Sequence, residues 1–352
     1  MPESTVRPLI SVLIATYNRA ESLCRAIESV LDHPGDYFEL VIGDDGSPDN
    51  TSEAVRPYLT DPRVRYYRNP VNLGMRDNYL KIFREARGDY IFILTDDDWM
   101  VKGGLEKVAQ VIRAHPQVGY ILSDLPTVDE RTGKVIGTHR AFTTDRLVEP
   151  SLQNMANLAG HAWVLSRQVL RRDLIDWETW EKFKQNIFFP IIFSGRVLLK
   201  APYYYLADVV VMHTWFNKVF WHAFGKDQLE IDFNLSADRY RAMREVLHDY
   251  AMTPEVRSVI DQWEFVNFKA YLDAEQSGFH DLIRGIGLRP ALAKLRTGFN
   301  LSSREYVALG AFFVQTPPRR IWVRAKYLAR RLAPEQFERL KAFRNRSMGQ
   351  IE

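Results

Sequence analysis

Short apolar runs separated by polar, turn-forming residues dominate the first third of the chain. Residues 9–15 (LISVLIA), 38–43 (FELVIG), 90–94 (YIFIL) and 118–122 (VGYIL) are continuous rather than alternating. That is the pattern of strands covered on both faces, as in a parallel sheet. Residues 63–68 (RVRYYR) alternate and predict a further strand. Between these runs apolar positions recur at helical spacing: Leu23, Ile27, Val30 and Leu31, then Leu80, Phe83 and Ala86, then Leu105, Val108, Val111 and Ile112. Asn18, with Glu21 three residues later, predicts a capped start for the first helix. Asp49 or Thr51 is the expected cap of a short helix ending near Pro57. Alternating strands and helices predict an α/β fold with a doubly wound, mostly parallel sheet.

The alternation stops near residue 124. Residues 127–137 are polar and turn-rich, 162–165 predict a short strand, and 203–212 (YYYLADVVVM) a longer one ending at His213. Residues 177–200 predict a helix anchored by Trp180, Phe183, Phe188 and Phe189 and interrupted at Pro190. From about Gln228 only helices are expected, near 228–250, 255–276, 280–296, 303–314, 319–332 and 335–345. No internal repeat or low-complexity segment is present.

Of the 352 residues, 46% are hydrophobic and 26% charged, which places the chain among ordinary globular proteins. The net charge of +3 is small, but basic residues concentrate toward the end. The single cysteine, Cys24, excludes an intramolecular disulfide, favours a reducing compartment, and reads as a packed thiol on a helix. The opening residues lack the pattern of a secretory leader, and no run of 18 or more apolar residues predicts a membrane span. The expected location is cytoplasmic, or peripheral on the inner face of the cell membrane.

Asp96, Asp97 and Asp98 follow directly on the apolar run 90–94. Three unpaired carboxylates cannot enter the core, so they mark the carboxyl end of that strand, where open α/β sheets bind ligands. Asp44 and Asp45 follow residues 38–43 in the same way, on the same edge. Clustered carboxylates suit a hard divalent cation, Mg²⁺ or Mn²⁺, and through it a pyrophosphate. No GxGxxG follows the first strand, which argues against a dinucleotide-dependent dehydrogenase. No glycine-rich phosphate loop stands near the start, which argues against a nucleotidyltransferase.

The runs SVLIATYNRAESLCRAIESVL, ELVIGDDGSPDNT, and NLG with GDYIFILTDDDW together resemble the family 2 glycosyltransferases of GT-A fold. They are most similar to the bacterial transferases that build O-antigen, capsule or other surface polysaccharide. The resemblance is continuous over the first 120 residues or so and looser as far as His213. It implies a nucleotide-sugar-binding half (1–124), an acceptor-binding half (125–225) and a helical, basic C-terminal region (226–352). It also implies inverting transfer of a sugar from a nucleoside diphosphate sugar to a hydroxyl of a saccharide or lipid-linked saccharide. By the same resemblance Thr16, Tyr17 and Asn18 line the base and ribose, Arg76 helps hold the nucleotide, and Asp45 bonds the base edge. A carboxylate only accepts, so Asp45 would select a base with an N–H at that edge, such as uracil, thymine or guanine. The first position of the family's D-x-D motif is Thr95 here, a departure. On the variant pattern Asp96 faces the ribose or diphosphate, Asp97 binds the metal, and Asp98 supports the loop or contacts the donor sugar. His213 matches a histidine that completes the metal site in some GT-A enzymes, and imidazole suits Mn²⁺.

Inverting transfer needs a general base. The family's Glu-Asp position upstream of the late histidine falls on Gln185, Asn186 and Ile187, with no carboxylate. The nearest candidates are Asp176, Glu178 and Glu181. Glu178 and Glu181 share a helical face, Glu181 is the first expectation, and His161 is an alternative. The missing carboxylate leaves open a non-catalytic scaffold in a polysaccharide assembly complex. From Arg319 the chain reads RRIWVRAKYLARRLAPEQFERLKAFRNR. Interleaved basic and apolar positions fit either an interfacial helix on an anionic membrane or a helix packed on the domain or a second copy. No motif points to nucleic acid.

Overall fold

The structure is a computed structural model and describes residues 7–159, 161–162, 164–183, 185–186, 188–215, 238–273 and 288–298. The chain divides into two units, Met1–Val219 and Phe220–Glu352.

In the first unit, strands β1 (Ile10–Thr16), β2 (Phe38–Asp44), β3 (Val64–Arg68) and β4 (Tyr90–Ile93) pair in parallel in the order β3-β2-β1-β4. Helices α1 (Ala20–Leu31), α2 (Thr51–Val55) and α3 (Met75–Glu85) connect them. Thr16 sits opposite Asp44, and Leu94 N–H donates to Leu13 O, so β1, β2 and β4 end together on one edge. After the short β5 (Trp99–Met100) and α4 (Gly104–Ala114), β6 (Tyr120–Asp129) continues the sheet. Val12, Ile14, Leu40, Ile42 and Phe92 form one core cluster with Leu23, Ile27, Val30, Leu105, Val108 and Ile112 from α1 and α4. Alternate strand residues, among them Leu13, Val41 and Ile91, point to the other face, as the two-residue period requires. Beyond them, Tyr79 and Phe83 of α3 join an aromatic group with Trp180, Phe189 and Phe193, in which Trp180 and Phe193 stack at 4.9 Å.

The later part departs from expectation in four places. The turn-rich stretch 127–137 is largely a hairpin, β6 running on to Asp129 and returning as β7 (Val135–His139). After β8 (Arg146–Val148) and α5 (Leu152–Ala159), the strand expected at 162–165 lies instead at β9 (Gln168–Arg171), antiparallel between β4 and β6. Gln168 hides this strand from a hydrophobic reading, yet its buried amide donates to the carbonyls of Ala162 and Val164 and accepts from Tyr120 and Ser194. The expected helix over 177–200 is two, α6 (Trp177–Phe183) and α7 (Phe189–Leu198), with Pro190 in the first turn of the second, where its missing N–H costs nothing. The run 203–212 splits into β10 (Tyr203–Val209) and β11 (Val211–Trp215), so His213 lies inside β11, opposite Thr127.

At the start of α1 the cap position is Arg19, and Asn18 stands before it with φ 57°. Asp49 supplies the missing acceptor: Oδ2 takes the Ala20 N–H at 3.2 Å, while Oδ1 takes the N–H and hydroxyl of Thr51 at 3.1 and 2.5 Å. One side chain thus ends two helices.

The second unit is helical where described, at 238–246, α8 (Pro254–Asp273) and α9 (Leu288–Gly298). Arg244 pairs with Glu264, and the Trp263 indole N–H donates to Arg239 O at 2.8 Å, joining the first two helices. Among the described residues no helix is long and apolar enough to cross a membrane. The helices expected at 303–314, 319–332 and 335–345, with the basic interfacial segment, lie outside the described residues.

Candidate functional site

Both acidic clusters emerge on the edge where β1, β2 and β4 end. Asp44 is structural: fully buried, it accepts from Ser47 N–H at 2.8 Å and the Tyr66 hydroxyl at 2.5 Å, with Arg68 at 3.3 Å. Asp45, 2% exposed, turns toward the loop before α3. Its Oδ1 accepts from Asn69 Nδ2 at 2.9 Å and Leu73 N–H at 2.8 Å, and its Oδ2 from Gly74 N–H at 2.8 Å. A carboxylate has about four acceptor positions, so the loop takes three and leaves one. Gly46, at φ +73°, makes the turn possible, and a Cβ there would lie 3.1–3.3 Å from the backbone of Asn69, Val71 and Asn72. Tyr17, Val71 and Leu73, all on segments tied to Asp45, are 44%, 62% and 45% exposed. Exposed aromatic and aliphatic groups beside a lone acceptor are the elements of a base-stacking site. Arg76, in the first turn of α3, donates to Gln185 O.

The Asp96–Asp98 loop divides its work. Asp96 is buried and accepts from the Thr16 hydroxyl at 2.7 Å and Arg19 Nη1 at 3.1 Å. Asp97 accepts from the same Nη1 at 2.7 Å. Asp98 is fully buried, accepts from Thr214 N–H at 2.8 Å, and faces His213 Nδ1 with both oxygens at 3.1 Å. Burial, and next the Asp97 charge, push the Asp96 carboxyl up to about 7 against the pull of Arg19 and Thr16. Burial and Asp98 likewise raise Asp97. Burial works against the charge on His213, but the Asp98 hydrogen bond and charge outweigh it and raise the imidazole. For Arg19 the two aspartates outweigh burial and hold the guanidinium above its ordinary value. The Thr16 hydroxyl, expected to line the base and ribose, donates to Asp96, and Thr16 is 3% exposed.

Residues that sequence reasoning passed over complete the edge. Arg25 Nη2 donates to Asp97 O at 2.7 Å, and the Thr214 hydroxyl donates to the same carbonyl at 2.7 Å. Ser166 Oγ accepts from Thr95 N–H at 3.0 Å, tying the entry of β9 to the acidic loop. Next to it Arg167, at φ +81°, is buried and donates to the carbonyls of Ser123, His139 and His161. Burial, then Arg167 and His213, lower His139, so these cations share one neighbourhood.

The carboxylates expected to include the base have partners of their own. Glu181 Oε1 meets Arg84 Nη2 at 2.9 Å, and both are exposed. Arg84 is in the last turn of α3, whose first turn adjoins the Asp45 loop. Arg76, in the first turn of the same helix, donates to Gln185 O, so residues 181–185 run along α3, and Glu181 stands at its last turn. Glu178 is exposed on the same short helix. Asp176 caps that helix through Thr179 N–H at 3.0 Å and pairs with Arg196 at 2.8 Å. Asn186, where a family carboxylate was expected, is buried and accepts from Phe188 N–H at 2.8 Å.

Residues 11–174, which carry all of this edge except β11, match the family described as Glycosyl transferase family 2. It is this segment, just under half of the chain, that is a family 2 glycosyltransferase domain. The chain is 32% identical to an uncharacterized protein of Mycobacterium tuberculosis, MT1568, over 166 residues, 45% of this chain and 51% of that one. It is 37% identical over 94 residues to WcaA of Escherichia coli, a glycosyl transferase provisionally named for colanic acid biosynthesis, covering 26% of this chain and 33% of that one. The chain thus spans about half or less of the length of these curated relatives. In fold it is similar to residues 1–349 of S. aureus TarS, solved in complex with UDP-GlcNAc. The TM-score is 0.64 at 17% identity, covering 85% of this chain and 83% of that one. The mostly parallel, mixed sheet of the family 2 domain is the GT-A arrangement that TarS shares.

Proposed function

We propose that the family 2 domain transfers a sugar, with inversion, from a nucleoside diphosphate sugar to an acceptor hydroxyl in the synthesis of a bacterial surface polysaccharide. The observation that carries this reading is the pairing, on one sheet edge, of the Asp45 loop with the Asp96–Asp98 loop. Asp45 keeps one acceptor position for a base N–H, beside Tyr17, Val71 and Leu73. The TarS complex with UDP-GlcNAc and the polysaccharide assignment of WcaA support the substrate class.

Among the described residues no three ligating side chains converge to hold a cation alone, which fits Mg²⁺ or Mn²⁺ held by one or two protein groups and completed by substrate phosphates. Asp97 offers a hard carboxylate oxygen. Asp98 on Nδ1 of His213 leaves Nε2 as the ligating nitrogen, the usual carboxylate–histidine arrangement of metal sites. A cation there would offset the negative charge that develops on the departing diphosphate. Asp96 orients through Thr16, and Arg76 and Asn18 border the nucleotide side. For the acceptor proton the geometry favours His161 over Glu181 and Glu178. The His161 segment is held by Arg167 on the acidic edge, while Glu181 pairs with Arg84 at the other end of α3.

Nucleoside diphosphate sugars screened with Mn²⁺ or Mg²⁺ should give a metal-dependent rise in melting temperature for one donor class, by mass action, and donor-dependent release of nucleoside diphosphate. Asp97→Asn should retain the fold and lose activity by orders of magnitude. Wild-type turnover by Asp97→Asn with metal present would remove the metal assignment. Release of no nucleotide from any donor would favour the scaffold reading.

A further inference from the structure

The assignment of Asp97 to a divalent cation, on which this inference rests, meets a cation already in place. Arg19 Nη1 lies 2.7 Å from Asp97 Oδ2 and 3.1 Å from Asp96 Oδ1, with its side chain 25% exposed. Arg19 is also the cap residue of α1. The partial positive charge of a helix N-terminus disfavours a cation at that position, so its placement makes sense only through the anions it faces. A guanidinium does not deprotonate in proteins. It cannot make room for a metal by titrating, only by moving.

We infer that Arg19 is the resident counter-ion of Asp96 and Asp97, and that it makes divalent-cation binding depend on the nucleoside diphosphate. A divalent ion arriving alone at Asp97 would stand against a fixed positive charge in a partly buried site, where like charges repel strongly. A nucleoside diphosphate brings anionic oxygens that match the planar fork of a guanidinium. The added negative charge would then offset both the cation held by Asp97 and the guanidinium of Arg19. Arg19 is thereby a positioning residue: it bridges the two carboxylates in the free protein, offsetting their repulsion, and couples the metal to the donor.

The test titrates Mn²⁺ into the full chain, reading free Mn²⁺ by electron paramagnetic resonance, alone and with UDP, dTDP or GDP. Wild type should bind Mn²⁺ weakly alone and tightly with one nucleotide. Arg19→Gln should bind Mn²⁺ alone at least about tenfold more tightly than wild type, because the opposing charge is gone. Arg19→Lys, which keeps a charge, should stay near wild type. Asp97→Asn added to Arg19→Gln should abolish the gain. Melting curves of Arg19→Gln with and without Mn²⁺ give a second reading, with a larger metal-dependent rise than wild type expected. An unchanged Mn²⁺ affinity in Arg19→Gln, with nucleotide-dependent binding intact, would overturn the role of Arg19 and leave the metal assignment standing. No Mn²⁺ binding by any form with any nucleotide would overturn the metal assignment itself, and this inference with it.

Discussion

Asp98 holds the acidic loop to β11, accepting from Thr214 N–H and facing His213 while fully buried. Asp98→Ala leaves a buried N–H unpaired, which typically costs about 1–3 kcal/mol. Asp98→Asn retains an acceptor and should lose less. Urea denaturation of the two variants measures the difference, and equal stability of Asp98→Ala and wild type would contradict the supporting role. Asp45→Ala should raise the donor dissociation constant more than it slows turnover, because Asp45 holds the Leu73–Gly74 turn and its proposed partner is a non-reacting base. Loss of turnover at unchanged donor affinity would argue otherwise. The position of these aspartates was legible in sequence, since each follows a buried apolar run. Their division of labour was not, because it depends on partners 77–116 residues away in the chain: Arg19 for Asp96 and Asp97, Thr16 for Asp96, His213 and Thr214 for Asp98. Arg19 did leave a trace, a cation at a helix start where the dipole disfavours it.

Among the elements, the parallel half was the legible one, because its strands are covered on both faces and its helices keep a clean apolar stripe. The later half hides its elements. β9 begins with a buried glutamine satisfied by the nearby carbonyls of Ala162 and Val164 and by the distant Tyr120 and Ser194, and β7 is exposed, so neither shows a hydrophobic run. Helix α6 shows that two of the carboxylates in this stretch, Asp176 and Glu181, have partners that sequence does not reveal. Asp176 caps it, and the Thr179 amide and Arg196 outweigh burial to hold the Asp176 carboxyl below its ordinary range. A depressed native value stabilises the fold above the unfolded aspartate pKa, and this stability is lost as pH falls through the native value. Asp176→Ala should therefore cost about 0.5–2 kcal/mol at neutral pH and flatten the acid side of the stability–pH curve, while transfer survives. A variant as acid-sensitive as wild type would exclude this source of pH dependence. Glu181→Gln breaks an exposed pair worth about 0–1 kcal/mol, so its melting temperature and transfer rate should both stay near wild type. Loss of transfer at unchanged donor affinity would return the base to α6.

At the scale of the whole molecule, the unassigned question is where the acceptor is met. Acceptors carried on lipid would require this chain, which has no apolar run long enough to span a bilayer, to work at a membrane surface. The sequence from Arg319 carries Arg319, Arg320, Arg324, Lys326, Arg330 and Arg331 among Ile321, Trp322, Leu328 and Leu332. Each Lys or Arg close to an anionic leaflet contributes about 1 kcal/mol, and the interleaved apolar residues add burial in the interface. Full-length protein should therefore float with liposomes in proportion to their anionic lipid content, and salt should weaken the binding. A full-length variant with Arg319, Arg320, Arg324, Arg330 and Arg331 changed to glutamine should stay in the unbound fraction while retaining donor binding. Flotation that survives the change would shift the contact to the β6–β7 hairpin, where Val135 and Ile136 are 55% and 57% exposed beside Arg131 and Lys134. Wild-type protein that stays unbound at every lipid composition in low salt would leave the basic stretch as a packed or solvated helix face, and would direct the search for an acceptor to water-soluble saccharides.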